Sequence, residues 1–591
     1  MTLTTRTTTP VARTLKLGPI VYFLGAAVLV TLAGTMSFNG YILNILMQAA
    51  TYSVAVFGLS VVLGLCGQIT LAQAAFFGIG AYAVGLGTVD FGLSYWLCLV
   101  GGMVLAVLVG ALLGSSTLRL SGHYLAMVTI SFQQIVTLVM INWIPVTHGP
   151  DGVSRIPRPA LFSGQQSFLA FCVATLAVVG YIVWLLPATK LGRQMRAVRD
   201  NELAAAVAGI NVHRTKVTAF AISALLAALG GGLFAGGFSY VSPDQFSFAE
   251  SIVFLTMALL GGVASPIGSV IGTGLLILIP EWLRFLKEVP GLYLAIYGLA
   301  VILIVLFMPD GIWGYIAGVI RNLRKKVAFD GHVAPLNLVQ TQAHADTVLE
   351  VKDLSKHFGG LKAVDQINFT VRRGSVHALI GPNGSGKTTT LNVLSGIYTP
   401  TGGSVTLDGA NVTGFPPYQR TASGLGRTFQ NIRLFRSMTA LENVIIGAER
   451  PNNPIDLSHA ALAERARSAL DFVGLLNRAD ELVTSFSYGH QRLIEIARAL
   501  AANPTLLLLD EPAAGLNSTE KVALTELLKR IAAKGLTILI IDHDMTLVGA
   551  VAEHITVLNF GRRIADGDPV SVLNHPDVIA AYLGTDANAA H

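Results

Sequence analysis

Through the first 310 residues apolar positions come in long unbroken runs, not in the period of two or 3.6 that marks a half-buried strand or a surface helix. Runs near 20–36, 41–65, 71–89, 95–118, 123–144, 168–186, 217–238 and 291–308 are each long enough to cross about 30 Å of hydrocarbon as a helix. Between Phe248 and Leu283 the chain is apolar for too long to be one span. It is broken by Gly261-Gly-Val-Ala-Ser-Pro266, which predicts two short helices around a tight turn. The pattern therefore predicts an all-α polytopic transmembrane bundle of about ten helices.

Beyond Lys326 the pattern changes to short apolar runs separated by polar turns, as in a soluble α/β domain. The apolar stretch Ser375–Ile380 leads into Gly381, Pro382, Asn383, Gly384, Ser385, Gly386, Lys387 and Thr388, followed by Thr389 and the helix-prone TTLNVLSGI. This is the phosphate-loop pattern: its glycines let backbone N–H groups close around phosphates, Lys387 reaches the β/γ oxygens, and the Thr388 hydroxyl reaches Mg²⁺. A chance match in a glycine-rich chain is set aside by the order of apolar run, loop and helix. Thr505-Leu-Leu-Leu-Leu-Asp510-Glu511 reads as a buried strand ending in two carboxylates. Asp510 is placed to help hold Mg²⁺ and Glu511 to orient or deprotonate the attacking water.

These patterns divide the chain into a tail (1–19), a transmembrane domain (20–320), a linker (321–346) and an ATPase domain (347–591). The linker lacks sustained apolar periodicity and mixes charge, Gly, Pro and Gln.

Charge sharpens the division. Residues 1–330 carry 18 Lys and Arg against 10 Asp and Glu, and the remainder 22 against 24. The basic surplus thus belongs to the membrane half and implies membrane lipid, not nucleic acid, as its counterpart. An ATPase needs cytosolic ATP, so an even span count puts the tail and residue 320 onward on the cytoplasmic side. In that topology 14 of the 18 basic residues face the cytoplasm, leaving Arg155, Arg158, Arg284 and Lys287 outside. Cys66, Cys98 and Cys172 all lie in apolar segments, which argues for buried thiols and against disulfides or a cysteine metal site.

Two groups of polar residues in the membrane half stand out. Gln68, Gln73, His123, Gln133 and Gln134 lie at membrane depth and are expected to face a bundle interior or aqueous path, more often as interhelical hydrogen bonds than as substrate contacts. The cytoplasmic stretch Leu191–Gly209 places Arg193, Arg196 and Arg199 at a three-residue spacing. It reads either as a basic helix resting on lipid headgroups or as a docking helix that enters a groove on the ATPase domain, with docking favoured.

Phe486-Ser487-Tyr-Gly489-His-Gln491-Arg492 starts a helix just before the acidic strand and offers N–H groups to an anion. It resembles the signature sequence of ATP-binding cassette (ABC) ATPases. From that resemblance Phe358 is implied as the aromatic residue stacked on adenine, Gln430 as the glutamine that touches Mg²⁺ and the transmembrane partner, and His543 as the switch histidine near the γ-phosphate. Ser487, Gly489 and Gln491 are implied to serve ATP held by a second cassette. Tyr488, His490 and Asn517 depart from the family pattern, and Asn517 stands where aspartate is usual.

GQITLAQAAFFGIGAY, HGPDGVSRIP, GRQMRAVRDNELAAAVAGINVHRTK and SPDQFSFAESIVFLTMALLGGVASPIGSVIG resemble the permease subunit of branched-chain and hydrophobic amino acid uptake transporters. The resemblance covers most of 41–310, and the cassette with its AYLG is similar to the matching ATPase subunit. It implies half of an importer driven by ATP and Mg²⁺ in a bacterial inner (cytoplasmic) membrane, carrying a small amino acid substrate. A second permease subunit, a second ABC ATPase subunit and an extracytoplasmic substrate-binding protein are implied as partners. The competing readings are a homodimeric ABC exporter, against which the span count argues, and a membrane-anchored regulatory ATPase.

Overall fold

The computed structural model describes residues 25–26, 28–32, 39–117, 123–282, 298–299, 302–303, 306–308, 311–323, 333–338, 346–450 and 458–583. The chain forms two compact units: one contains residues up to Thr189 and Lys216–Lys325, the other Lys190–Thr215 and the chain from Lys326. The expected tail at 1–19 lies outside the described residues, as do most of the expected spans near 20–36 and 291–308.

The first unit is helical. Its elements are α1 (Gly40–Leu59, prolonged by a π-turn Ser60–Leu65), α2 (Gln73–Val89), α3 (Tyr95–Thr117), α4 (His123–Asn142) and α5 (Gln165–Leu185). After α6 (Lys190–Asp200) and α7 (Glu202–Val207), which belong to the second unit, come α8 (Val212–Phe238), α9 (Phe248–Gly261), α10 (Pro266–Trp282) and α11 (Gly311–Leu323). Strands β1 (Val153–Ser154) and β2 (Tyr240–Val241) pair antiparallel between helices. Among the described residues five helices are long and apolar enough to span a bilayer, and the pair α9–α10, bent by 120°, counts as a broken span or re-entrant loop. The predicted turn at 261–266 is there, with Gly262 at φ 113°. The 17-residue α2 is shorter than a full span.

Close backbone approach positions these helices. A Cβ on Gly80 would lie 2.1 Å from the Ala228 carbonyl oxygen, so α2 and α8 meet at a distance only glycine permits. The amide of Gln73 donates to the Ala55 carbonyl at 2.6 Å and accepts from Ser223 at 3.1 Å. Gln133 accepts from the Ala75 N–H (2.7 Å) and Ser251 (3.0 Å) and donates to the Phe246 carbonyl at 2.7 Å. Both side chains are buried ties between helices, and Gln68 is buried against the Cys66 carbonyl. Gln134 departs from the expectation and is exposed on α4, because the neighbouring Gln133 takes the inward direction one residue earlier. The side chain of His123 lies outside the described residues.

The second unit is α/β. A six-stranded sheet has the order β12 (Arg562–Gly567), β11 (His554–Asn559), β5 (Val376–Ile380), β10 (Thr537–Ile541), β9 (Leu506–Asp510), β8 (Leu425–Arg427). All its neighbours are parallel except the β11–β12 hairpin. Strands β5, β9 and β10 are buried at every position, as their continuous apolar sequences require. A second, antiparallel sheet has the order β4 (Leu361–Arg372), β3 (Thr347–Phe358), β6 (Gly402–Leu407), β7 (Ala410–Asn411).

Helices α12 (Lys387–Leu394), α13 (Ala440–Ala448), α14 (His459–Phe472), α15 (Tyr488–Ala501), α16 (Ser518–Ala533) and α17 (Pro576–Leu583) accompany the sheets, with shorter helices at Pro417–Ala422, Met545–Val551 and Pro569–Leu573. Part of the expected linker is also built in: Leu336 is buried in the core of this unit, and Arg465 of α14 donates to the Asn337 carbonyl at 3.0 Å.

Candidate functional site

The chemistry gathers at the carboxyl ends of four adjacent parallel strands. In sheet order, β5 runs into the glycine loop, β10 into Asp542 and His543, β9 into Asp510 and Glu511, and β8 toward Phe429 and Gln430. Such strand ends form the crevice in which open α/β sheets bind ligands. The loop folds tightly: Gly386 has φ 99°, and a Cβ there would lie 2.4 Å from the Ala363 carbonyl oxygen. A cavity of about 600 Å³ opens over it, lined by Leu361–Ala363, Asn383–Thr389, Gln430, Glu511 and Phe560. Lys387 heads α12 and donates from Nζ to the Gly381 and Pro382 carbonyls at 2.7 and 2.8 Å. Burial pulls its pKa down, against the pull of Glu511 and Asp510.

Glu511 carries a strained backbone, φ 44°, and its N–H is fixed to the Ile541 carbonyl at 2.7 Å. Its Oε2 accepts from the Gln430 amide at 3.0 Å, and Nδ1 of the largely exposed His543 stands 3.7 Å away. Three residues named as catalytic from the sequence thus meet at one carboxylate. A positive φ on a non-glycine residue costs on the order of 1–3 kcal/mol and persists where surrounding structure imposes it.

Asp510 is buried, and its Oδ2 lies 3.3 Å from Arg427 Nη2. Burial raises its pKa while Arg427 works the other way. Its Oδ1 is buried without a hydrogen-bond partner among the described residues. An orphaned carboxylate oxygen beside a phosphate cradle fits a hard cation that takes its remaining ligands from phosphate and water. Among the described residues no cluster of three His, Cys, Asp or Glu offers an all-protein metal cage.

Ser487, Gly489 and Gln491 are not among the residues lining this cavity. Ser487 caps α15, and Gln491 folds back to the Phe486 carbonyl at 2.9 Å. A Cβ on Gly489 would come within 2.4 Å of the Glu520 carboxylate. Asn517, the departure from the family aspartate, caps α16 in a reciprocal box with Glu520, so the loop keeps its anchor. Phe358 also stands apart from the lining, edge-on to Tyr398 at 5.3 Å with Lys356 Nζ 5.1 Å from its ring.

Sequence reasoning missed Arg492. It is fully buried and donates to the Phe429 and Gln430 carbonyls, the latter at 2.6 Å, while pairing with buried Glu495 at 3.0 Å. The signature helix therefore grips the backbone of the glutamine that holds Glu511. An arginine in the first turns of an otherwise apolar-faced helix was the available signal.

Helix α6 supplies the second half of the site. Arg193 is buried against Glu449, with Nε to Oε1 at 2.9 Å, and burial keeps the Glu449 pKa raised although Arg193 opposes it. Arg196 pairs with Glu442 at 2.7 Å. Asp200 accepts from both the N–H and the hydroxyl of Ser437 at 2.7 Å, and Thr421 donates to the Val207 carbonyl at 2.7 Å. These ion pairs support docking over a lipid-facing role. Glu202, the first residue of α7, is exposed.

The matches to known proteins divide along the same lines. A family model described as the permease component of a branched-chain amino acid transport system matches residues 41–307. One for ABC transporters matches 364–514, and one for branched-chain amino acid ATP-binding cassette transporters matches 562–588. The branched-chain amino acid transport ATP-binding protein BraF of Pseudomonas aeruginosa is 43% identical over 249 residues, 40% of this chain and 98% of that one. The corresponding LivG of Escherichia coli K12 is 40% identical over the same length. The permease protein LivM of Escherichia coli K12 is 34% identical over 317 residues, 49% of this chain and 74% of that one. These relatives favour an importer over a homodimeric exporter. A permease and an ATP-hydrolysing cassette joined in one polypeptide, the chain belongs to the branched-chain amino acid ABC transporter family.

Proposed function

We propose that the chain is half of an importer that moves branched-chain or related amino acids across the bacterial inner membrane, with its ATP site in the cytoplasm. The observation that carries this reading is the set of contacts from Arg196 and Asp200 to Glu442 and Ser437. The stretch they hold begins at Gln430, whose amide bonds Glu511, so a movement of the carboxylate end of the sheet is felt by a loop of the permease half.

In this reading the N–H groups of Gly381–Thr389 and the Lys387 ammonium hold the triphosphate. Glu511 takes the proton of the attacking water, Gln430 fixes that carboxylate, and His543 steadies the γ-phosphate from the next strand. Thr388, Gln430 and Asp510 are the residues that would hold Mg²⁺, which supplies charge neutralisation at the β and γ oxygens. Ser487, Gly489 and Gln491 face a second cassette's nucleotide. A second permease, a second ATPase and an extracytoplasmic binding protein complete the transporter.

Co-reconstitution with those partners in liposomes is the test. Leucine-class substrate should accumulate in the lumen only with ATP on the cassette side and the binding protein on the other, and extrusion or no flux would sink the reading. A thermal-shift panel of leucine-like, other amino acid and amide ligands on the binding protein would identify the substrate.

A further inference from the structure

Arg427 is the last residue of β8 and is only 5% exposed. A guanidinium at that depth is costly unless its N–H groups find partners. Two elements supply them. Nη1 donates to the Leu391 carbonyl at 3.2 Å and to the Ser395 hydroxyl, and Nη2 donates to Asn392 Oδ1 at 2.8 Å, all toward the C-terminal end of α12. A cation in that place also meets the negative end of the helix dipole. Nη2 reaches in addition Asp510 Oδ2 at 3.3 Å, at the end of the neighbouring strand β9.

The bridge joins two parts of the nucleotide site. Helix α12 begins at Lys387 of the glycine loop, and β9 ends at the acid pair. Arginine and carboxylate often pair through two parallel hydrogen bonds, which occupy both carboxylate oxygens. Here the other donors of the fork go to α12, and Nε has no partner among the described residues, so a single oxygen of Asp510 is engaged. Its Oδ1 is thereby left open. The terminal torsion of an aspartate is broad, and pinning one oxygen fixes the direction of the other.

We propose that Arg427 is a positioning residue for the Mg²⁺ of the ATP site: anchored on α12, it holds Asp510 by Oδ2 and so keeps Oδ1 free for the metal. The inference rests on the reading of the glycine loop and Asp510 as the MgATP site, and its test separates the two. Isothermal titration of the full-length chain in nanodiscs would compare a non-hydrolysable ATP analogue in EDTA with the same analogue in Mg²⁺. The wild type should bind in both conditions, and more tightly with the metal.

R427M should leave binding in EDTA near wild type and cut the tightening by Mg²⁺ about tenfold or more, the range for removing a group that orients a ligating carboxylate. Added to D510A, R427M should cost no further tightening, because no carboxylate is left to orient. Asn392→Leu keeps Arg427 but removes one of its anchors, and should give a smaller loss in the same direction even if R427M fails to fold. Unchanged tightening in R427M, or in Asn392→Leu where only that variant folds, would overturn the proposal. So would a stronger tightening, which would make Arg427 a cation that competes with the metal. An equal loss in EDTA and in Mg²⁺ would reduce Arg427 to a brace for the loop and overturn it as well. A wild type that does not bind the analogue would remove the ATP-site reading itself.

Discussion

The glutamines of the membrane unit and the carboxylates of the cassette are both polar groups in apolar surroundings, and the structure treats them in opposite ways. Gln73 and Gln133 each have both the amide N–H and the amide oxygen bonded to neighbouring segments of the bundle. Asp510 keeps an oxygen without a partner among the described residues, and Glu511 sits on strained backbone facing a cavity. Closed polar groups hold helices in register, and open ones wait for a ligand. Burial alone does not separate the two roles, since Gln133 and Asp510 are both almost wholly inaccessible. The state of their hydrogen bonds does.

The sharpest break of this comparison is Glu511→Gln. Hydrolysis should fall by about 100-fold or more, while ATP affinity and Tm stay near wild type, as measured by phosphate release and titration on the same preparation. Normal turnover would take the role of base away from Glu511.

Arg193→Ala tests a closed pair to which the proposed function gives the transmission of movement. It leaves Glu449 buried and unpaired, a loss of about 3–5 kcal/mol. Uptake per ATP should collapse in proteoliposomes while basal hydrolysis persists, and R193E with E449R should recover part of the coupling. Arg196→Ala, whose partner Glu442 is partly exposed, should be milder.

His377 is a closed group inside the cassette. Its Nε2 contacts the Thr556 hydroxyl at 2.8 Å, and burial pushes its pKa down to about 3. The depressed pKa means that the unfolded chain binds the extra proton first. Stability is therefore complete above about pH 6.5 and falls by up to about 1.4 kcal/mol per pH unit as pH drops toward 3. Denaturant titrations between pH 7 and 5 should show that slope, and His377→Gln should flatten it.

Gln133→Leu should have the smallest effect, destabilising the membrane unit by about 1 kcal/mol without altering which ligand is transported. A changed substrate preference would move Gln133 from scaffold to pathway and erase the contrast drawn above.

Much of the site was legible because its residues recur at strand ends, where an apolar run stops and a glycine, acid or amide begins. Gly381–Thr389, Asp510, Glu511 and His543 follow such runs directly, and Gln430 follows β8 after two residues. Arg427 and Arg492 were not legible, because each acts across the fold. Arg427 joins Asp510 to Asn392 of α12, partners 83 and 35 residues away. Arg492 reaches Gln430 only where α15 crosses the chain after β8. The same holds for α6, where the spacing of Arg193, Arg196 and Arg199 marked a basic helix without saying that Arg193 would be the one buried against Glu449.

By itself the sequence determined the membrane-spanning first half, the nucleotide loop, the acid pair and the order in which they come. Hydropathy and loop chemistry are local, and a dozen adjacent residues suffice to express them. Only the tertiary structure decided which polar groups are closed and which open, and which arginine carries the docking contact. Those outcomes depend on partners 18 to 256 residues away, and no local pattern encodes the geometry that brings them within 3 Å.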